Sequence, residues 1–240
     1  MTALRTDVGA ARSKSDLKSL AQKASRELAD ASADDVVQWA VREFGQGLAV
    51  ASSMSDAVLP HLVSRWLPGV DVLFIDTGYH FAETIGTRDA VAAAMPVNVV
   101  DVLAKRTVEE QEADHGPKLH ARDPEACCRM RKVEPLAQQL QGYEAWATGV
   151  RREESPTRAN TPVVGWDSRH QLVKVNPLAA WTFDDVLAYA EAHAVIVNPL
   201  LSEGYLSIGC QPCTRRVLPG EDPRAGRWAG LAKTECGIHL

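Results

Sequence analysis

Apolar and polar positions fall into alternating strand-like and helix-like registers through the first half of the chain. Residues 48–52 form a short apolar run that ends in Ser52. Val58, Leu59, Leu62, Val63 and Trp66 follow at helical spacing within residues 56–66. Residues 70–75 are a second apolar run, of the kind that fills a strand buried on both faces. It stops at Asp76-Thr77-Gly78, a turn signal. Residues 81–94 read as a helix, 97–100 as a third strand and 107–114 as a further helix. Residues 131–140 read as a helix and 145–148 as a fourth strand. Strands alternating with helices predict an α/β fold, a doubly wound, mostly parallel sheet with flanking helices. Ligands of such sheets bind beyond the carboxyl ends of the strands. That expectation gathers residues 52–56, 76–78 and 149–152 around one crevice.

The second half is richer in loops. Thr182 is placed to cap a helix over residues 183–193. Asn-Pro-Leu occurs at 176–178 and again at 198–200, and reads as two loops flanking that helix. From Val217 onward, Pro219, Gly220, Pro223, Gly226 and Gly230 break any regular element. The expected organisation is an N-terminal arm or exposed helix over 1–25 and an α/β domain over 26–216. An irregular, mobile C-terminal arm follows over 217–240.

Composition narrows the class. At 240 residues, 45% hydrophobic and 24% charged, the chain can bury a full core without cross-links. A net charge of −5 argues against broad electrostatic binding to nucleic acid or membrane, and neither is expected as a partner. No apolar run has the length of a membrane span, and the N-terminus lacks the apolar stretch of a signal peptide. The expected location is the cytoplasm.

Five cysteines, an odd number without an export signal, point to metal or redox chemistry rather than a disulfide framework. Cys210-Gln-Pro-Cys213 alone is ambiguous among zinc, redox and cluster roles. Cys127-Cys128 is more informative. Adjacent thiolates bind one tetrahedral ion only with strain, whereas an iron–sulfur cubane offers separate iron corners. Two tight pairs therefore fit a [4Fe–4S] cluster better than zinc, and a structural zinc site stays open as the alternative. Arg129, Arg131 and Lys132 follow the first pair, either as a solvated face or as cations offsetting a thiolate-bound cluster. Cys236 is the thiol left outside both pairs. Lys233 and His239 favour its thiolate and Glu235 opposes it. With the other four thiols occupied, an external dithiol would have to regenerate it.

Arginines concentrate at Arg151, Arg152 and Arg158, and again at Arg224 and Arg227. In an acidic protein such local clusters match a small polyanion, whose oxygens the guanidinium fork binds in pairs. Residues 52–56, Ser-Ser-Met-Ser-Asp at a strand-to-helix turn, offer hydroxyls and N–H groups to a phosphate. The segment has no glycine and matches neither of the common phosphate-loop patterns.

Taken together, residues 48–240 resemble the assimilatory sulfonucleotide reductases, most closely the iron–sulfur adenylyl-sulfate reductases of bacteria. The resemblance rests on Asp76-Thr77-Gly78, on Cys127-Cys128 with Lys132, and on Thr148-Gly-Val-Arg151-Arg152 with Arg158. It rests further on Cys210-Gln-Pro-Cys213 and on Lys233-Thr-Glu-Cys236-Gly-Ile-His239. It implies an adenine nucleotide α-hydrolase-like fold. It implies that Cys127, Cys128, Cys210 and Cys213 ligate a [4Fe–4S] cluster, with Lys132 beside cluster and substrate. Cys236 would attack the sulfate sulfur of adenosine 5′-phosphosulfate, expel AMP and become S-sulfocysteine. Thioredoxin or a similar dithiol would then release sulfite. Arg224, Arg227 and His239 match tail residues that close over the phosphosulfate end. Arg151 and Ser52 would hold the nucleotide, with Asp76 and Gly78 in the same substrate-binding set. A homo-oligomer is also implied.

One departure stands out. The family's phosphate-type loop reads Ser-Gly-x-Glu-Asp, and here Ser53 and Ser55 replace the glycine and the glutamate. The nearest rival reading keeps the fold and takes 3′-phosphoadenylyl sulfate, alone or as well. An ATP-using adenylating or sulfur-transfer enzyme would need the missing glycine loop. A zinc- or cluster-bearing binding module would have no use for Cys236.

Overall fold

In the computed structural model, residues 12–230, 233 and 235–238 are described. Leu48–Ser52 forms β1, and successive residues of a strand point to opposite faces. Leu48 and Val50 enter one apolar cluster and Ala49 another. Apolar side chains on both faces make it a central strand. The other strands are β2 (Val70–Asp76), β3 (Val97–Leu103), β4 (Ala145–Thr148), β5 (Val164–Asp167) and β6 (Leu172–Val175). The sheet order is β3-β2-β1-β4-β6-β5, with every pair parallel except β5 and β6. Val50 lies beside Val72 of β2 and Ala147 of β4. The chain reverses its winding between β1 and β4, which opens a crevice at their carboxyl ends.

The helices are α1 (Lys14–Glu27), α2 (Ala33–Phe44), α3 (Val58–Ser64), α4 (Ala82–Ala94), α5 (Val108–His115), α6 (Leu119–Arg122), α7 (Pro124–Cys128), α8 (Glu134–Gln139) and α9 (Phe183–Ala192). Val36 and Val37 of α2, Val58 and Leu62 of α3 and Val186 of α9 pack with Val50, Val72 and Phe74 on one face. Leu136 of α8 and Leu140 pack with Leu73, Trp146 and Leu172 on the other. The sheet is thus covered on both sides, as the alternating pattern predicts. The Thr182 cap of α9 is present, its hydroxyl accepting from the Asp185 N–H at 3.1 Å.

Several expectations need correction. The N-terminal helix is not simply exposed: Leu17, Ala21 and Ala24 of α1 recur at helical spacing and enter the core. The helix expected over 131–140 starts at Pro124, where Asp123 accepts from the Ala126 N–H at 2.9 Å. A π turn over Arg129–Val133 then joins α7 to α8. The helix expected over 56–66 shortens to Val58–Ser64, because Asp56 makes a bridge with Val197. The hairpin of β5 and β6 lies in the half that reads as loops, its strands only four residues long.

Arg12 ties the start of α1 to the approach to β4. It donates to Glu144 from its backbone N–H (3.0 Å), from Nε (3.1 Å) and from Nη2 (2.7 Å). Burial works against the Glu144 carboxylate, but the bonds and charge of Arg12 outweigh it and hold the carboxyl below its usual range. The bridge therefore contributes above the ordinary Glu pKa of about 4.3 and is lost as pH falls through the lower folded value. Glu144→Ala is expected to lower stability by about 1–2 kcal/mol at neutral pH. Urea titration should show that deficit shrinking in acid, and a deficit equal at every pH would exclude the ionic origin.

Candidate active site

The carboxyl ends of β1, β2 and β4 open into a cavity of about 240 Å³. Ser52 at the end of β1 lines it with Ser53, Ser55 and Asp56 beyond, Thr77 lines it after β2, and Thr148 at the end of β4 lines it with Gly149 and Arg151 beyond. The β1 turn is built without glycine. Met54 takes φ 57°, its side chain is fully buried, and its N–H donates to Ser52 Oγ at 3.2 Å. A left-handed conformation costs a non-glycine residue roughly 1–2 kcal/mol. Asn198, completely buried, holds the turn in place. Its side-chain amide donates to the Met54 carbonyl (3.0 Å) and to Thr84 Oγ1 (3.2 Å), and its backbone N–H donates to the Ser55 carbonyl (3.1 Å).

The cavity's far wall comes from the C-terminal segment. Arg224, Arg227, Trp228, Cys236 and Ile238 line it, as do Lys132 and Arg158. Residues 213–215 and 226–228 are cross-bonded, Arg215 N–H to the Gly226 carbonyl and Trp228 N–H to the Cys213 carbonyl, both at 2.9 Å. This pairing carries Arg227 back beside Cys210. Gly209 leaves room there for the Arg227 guanidinium, which a Cβ would displace. Arg227 lies 4.5 Å over the Trp228 ring.

Beside the main cavity is a small one of about 10 Å³, lined by Cys127, Cys128, Cys210, Cys213, Thr77, Tyr79 and Lys132. α7 supplies the first cysteine pair. The Gln211 N–H, donating to the Tyr79 carbonyl at 2.7 Å, pins the second pair against the β2 turn. All four thiols are free. Burial pushes Cys127 up to about 12, helped by the neighbouring sulfurs, and pushes Cys213 up to about 11. Cys210 goes the other way: burial would raise it, but the Lys132 ammonium and the Thr77 hydroxyl at 3.3 Å bring it below the usual thiol range. Burial disfavours the Lys132 ammonium, yet the sulfurs of Cys210, Cys236 and Cys128 outweigh this and raise it. Lys132 thus faces the thiol pocket and the main cavity at once.

Four soft donors facing one pocket fit a thiophilic group. Among the described residues, no three Cys, His, Asp or Glu side chains form a ready-made single-ion site.

Of the residues expected in the site, the structure brings together Ser52, Lys132, Arg151, Arg224, Arg227 and Cys236, with the four paired cysteines next door. Asp76 and Gly78 do not line the cavity. Asp76 Oδ1 accepts from the Gly78 N–H at 2.9 Å, closing the turn on itself, and Gly78 packs against Arg131. Thr77, between them, is the residue that reaches both pockets. His239 lies outside the described residues. Arg158 and Asp56, expected there as members of the basic cluster and of the 52–56 turn, line it too, and Glu154 and Trp228 join without having been singled out. Arg158 stands in a basic cluster of the sequence, and that charge density was its signal. Asn198 had only its Asn-Pro dipeptide.

The strand order and the cavity at the winding reversal define a doubly wound α/β protein with its site at the strand ends. The profile of the phosphoadenosine phosphosulfate reductase domain matches residues 47–216, and the chain belongs to this family. It is 60% identical to an adenosine 5′-phosphosulfate reductase of Streptomyces coelicolor, across 100% of both chains. It is 57% identical to one of Mycolicibacterium smegmatis, across 94% of this chain and 95% of that one. Among solved structures, phosphoadenylyl-sulfate reductase of Candida auris in its phosphate complex superposes with a TM-score of 0.71 at 28% identity. The match covers 87% of this chain and 100% of that one. No helix among the described residues is long and apolar enough to cross a membrane.

Asn198→Ala should leave the turn's buried carbonyl and hydroxyl unpaired, at a cost of about 2–3 kcal/mol. Calorimetry should find AMP binding weakened along with stability. Stability lost with AMP affinity intact would show that the turn does not hold the ligand.

Proposed function

We propose that this protein reduces adenosine 5′-phosphosulfate to sulfite and AMP in sulfate assimilation, with Cys236 as nucleophile. The observation that carries the reading is that Cys236 lines the same cavity as Lys132, Arg158, Arg224 and Arg227, at the carboxyl edge of a nucleotide-type sheet. The sulfate sulfur is hindered and ringed by negative oxygens. A thiolate approaches it only where fixed cations screen that charge. Cys236 Sγ attacks the sulfur, an S–S bond forms, the S–O bond to the phosphate breaks, and AMP leaves with that electron pair. Arginine and lysine neutralise the phosphate oxygens as they gain charge. The cysteine is left as an S-sulfo adduct. A dithiol such as thioredoxin supplies two electrons, cleaves the S–S bond and releases sulfite. The C-terminal arm moves away from the cavity to present the adduct.

Cys127, Cys128, Cys210 and Cys213 would hold the [4Fe–4S] cluster. When bound, the group supplies a fixed negative charge that orders Lys132, rather than the electrons of the reaction. The raised pKa values of Cys127, Cys128 and Cys213 would make its assembly a proton-releasing event. The same reading makes the protein cytoplasmic and places no nucleic acid or membrane among its partners.

Intact-protein mass spectrometry after anaerobic incubation with adenosine 5′-phosphosulfate and no reductant should show a gain of one SO₃ group. The gain should be absent in Cys236→Ser and lost on adding thioredoxin. A gain only with the 3′-phosphorylated nucleotide would move the substrate, and none with either would remove the covalent mechanism.

Cys128→Ser should abolish the visible iron–sulfur absorption of anaerobically purified protein and lower turnover at least about a hundredfold. A variant without iron but with full turnover would refute the cluster's role.

A further inference from the structure

Cys236 is held between two fixed points. On its C-terminal side, the Gly237 carbonyl accepts from Arg169 Nη1, and Ile238 packs against the apolar cluster of Leu136, Trp146 and Leu172. On its N-terminal side is Glu235, with a side chain only 8% exposed. Its carboxylate accepts from Arg158 Nε at 2.9 Å and Nη2 at 2.8 Å, a two-pronged pair, and from Arg224 Nη2 at 3.2 Å. Thr157 Oγ1 donates at 3.4 Å.

Glu235 adds a negative charge next to the proposed nucleophile, beside a cavity whose lining carries Lys132 and four arginines against Asp56 and Glu154. Both of its oxygens are engaged by two of those arginines. Burial would favour the neutral acid, but the Arg158 bonds and the charges of Arg158 and Arg224 outweigh it and keep Glu235 ionised below the usual carboxylate range. Arg158 also binds Glu154 at 2.5 Å, so it is fixed independently of the tail. Lys174 of β6 also feels the charges of Glu235 and Cys236, though burial brings its ammonium down to about 8.

We propose that Glu235 is a positioning residue, an ionic latch that docks the Cys236 segment over the cavity through Arg158 and Arg224. The proposal rests on the reading of Cys236 as nucleophile. No backbone ladder holds residues 235–238 among the described contacts, so the sulfur is placed by side-chain tethers: the Glu235 latch before it, the Arg169 bond and the Ile238 contact after it, with the Lys233–Glu125 ion pair further upstream. Opening the arm for the dithiol then requires this ion pair to part. Arg224 has a second role in the cavity wall, which couples the latch to whatever anion fills the cavity.

The test uses the cluster-loaded, full-length protein and two variants, Glu235→Gln and Glu235→Asp. The first readout is the rate at which iodoacetamide alkylates Cys236 without nucleotide, followed by peptide mass mapping. The latch predicts about a tenfold or greater rise in Glu235→Gln, since charge-assisted bonds of this kind hold about 1.4 kcal/mol or more, a factor of ten. Glu235→Asp should fall between. Added salt should speed alkylation of the wild type and barely affect Glu235→Gln. The second readout is the single-turnover rate of SO₃ adduct formation at saturating nucleotide, which should fall about tenfold in Glu235→Gln and recover in part in Glu235→Asp. A melting temperature equal to the wild type's keeps the comparison clean. Unchanged alkylation in Glu235→Gln overturns the latch. Faster alkylation with undiminished adduct formation overturns the positioning role. Faster alkylation with no adduct in any protein, wild type included, supports the latch and removes the proposed reaction instead.

Discussion

The guanidinium of Arg131 lies buried under the carboxyl edge of the sheet and joins three segments that carry the site. Nε donates to the Thr77 carbonyl, and Nη1 donates to the carbonyls of Arg106 and Thr107 and to Gln111 Oε1. Its own helix carries Cys127 and Cys128. Thr77 closes β2 and touches Cys210, while Thr107 caps α5. A buried guanidinium with several acceptors is strongly directional, and removing it would take a donor from each of them, the Thr107 carbonyl alone keeping a second one in the Gln111 N–H. Gly78 is part of the same constraint: φ is +71°, and a Cβ would meet Val108 at 2.9 Å and Arg131 Nη2 at 3.2 Å. The π turn that carries Arg131 also lets its neighbour Lys132 reach the thiols and the cavity, while Arg131 itself faces the sheet edge. Thiol pocket and anion cavity share a wall because consecutive side chains serve both.

The charges around that wall set what it can hold. Lys132, Arg151, Arg158, Arg224 and Arg227 converge on one cavity of a protein whose net charge is −5. Asp56, Glu154 and Glu235 stand among them. Arg151 pairs with Glu153 and Glu154, and Arg158 with Glu154 and Glu235, so the guanidinium planes are oriented before a ligand arrives. Preorganised cations need little rearrangement when an oxyanion enters, which is what makes them effective on developing charge.

The sheet and its covering helices were legible because apolar periodicity reports burial, and burial is what a central strand such as β1 or β2 experiences. The paired cysteines and Cys236 were legible by count and spacing. Other features left weaker signals. α1 and the β5–β6 hairpin contribute short or sparse apolar positions, Leu17, Ala21 and Ala24 in one and four-residue strands in the other. Their place is decided by contacts distant in sequence. Asp76 and Gly78 sit at the end of a strand whose end does face the crevice, but a side chain's direction beyond a turn depends on local hydrogen bonding. Here Asp76 folds back on Gly78 and leaves the cavity to Thr77. Glu235 read as a charge opposing the thiolate, because its arginine partners lie 77 and 11 positions away.

The position of Cys236, the proposed nucleophile, suits the two halves of the proposed chemistry. Attack on a phosphosulfate anhydride wants the sulfur fixed beside cations and shielded from water. Release wants the same sulfur exposed to another protein's dithiol. A cysteine on a strand or in mid-helix meets the first demand and fails the second, because freeing it would break a hydrogen-bonded ladder. Residues 235–238 carry no regular element. They are held by side-chain ion pairs, one carbonyl bond and a single apolar contact. Such attachments can part locally at a small fraction of the global stability, leaving the sheet, the thiol pocket and the arginine wall intact for the next cycle.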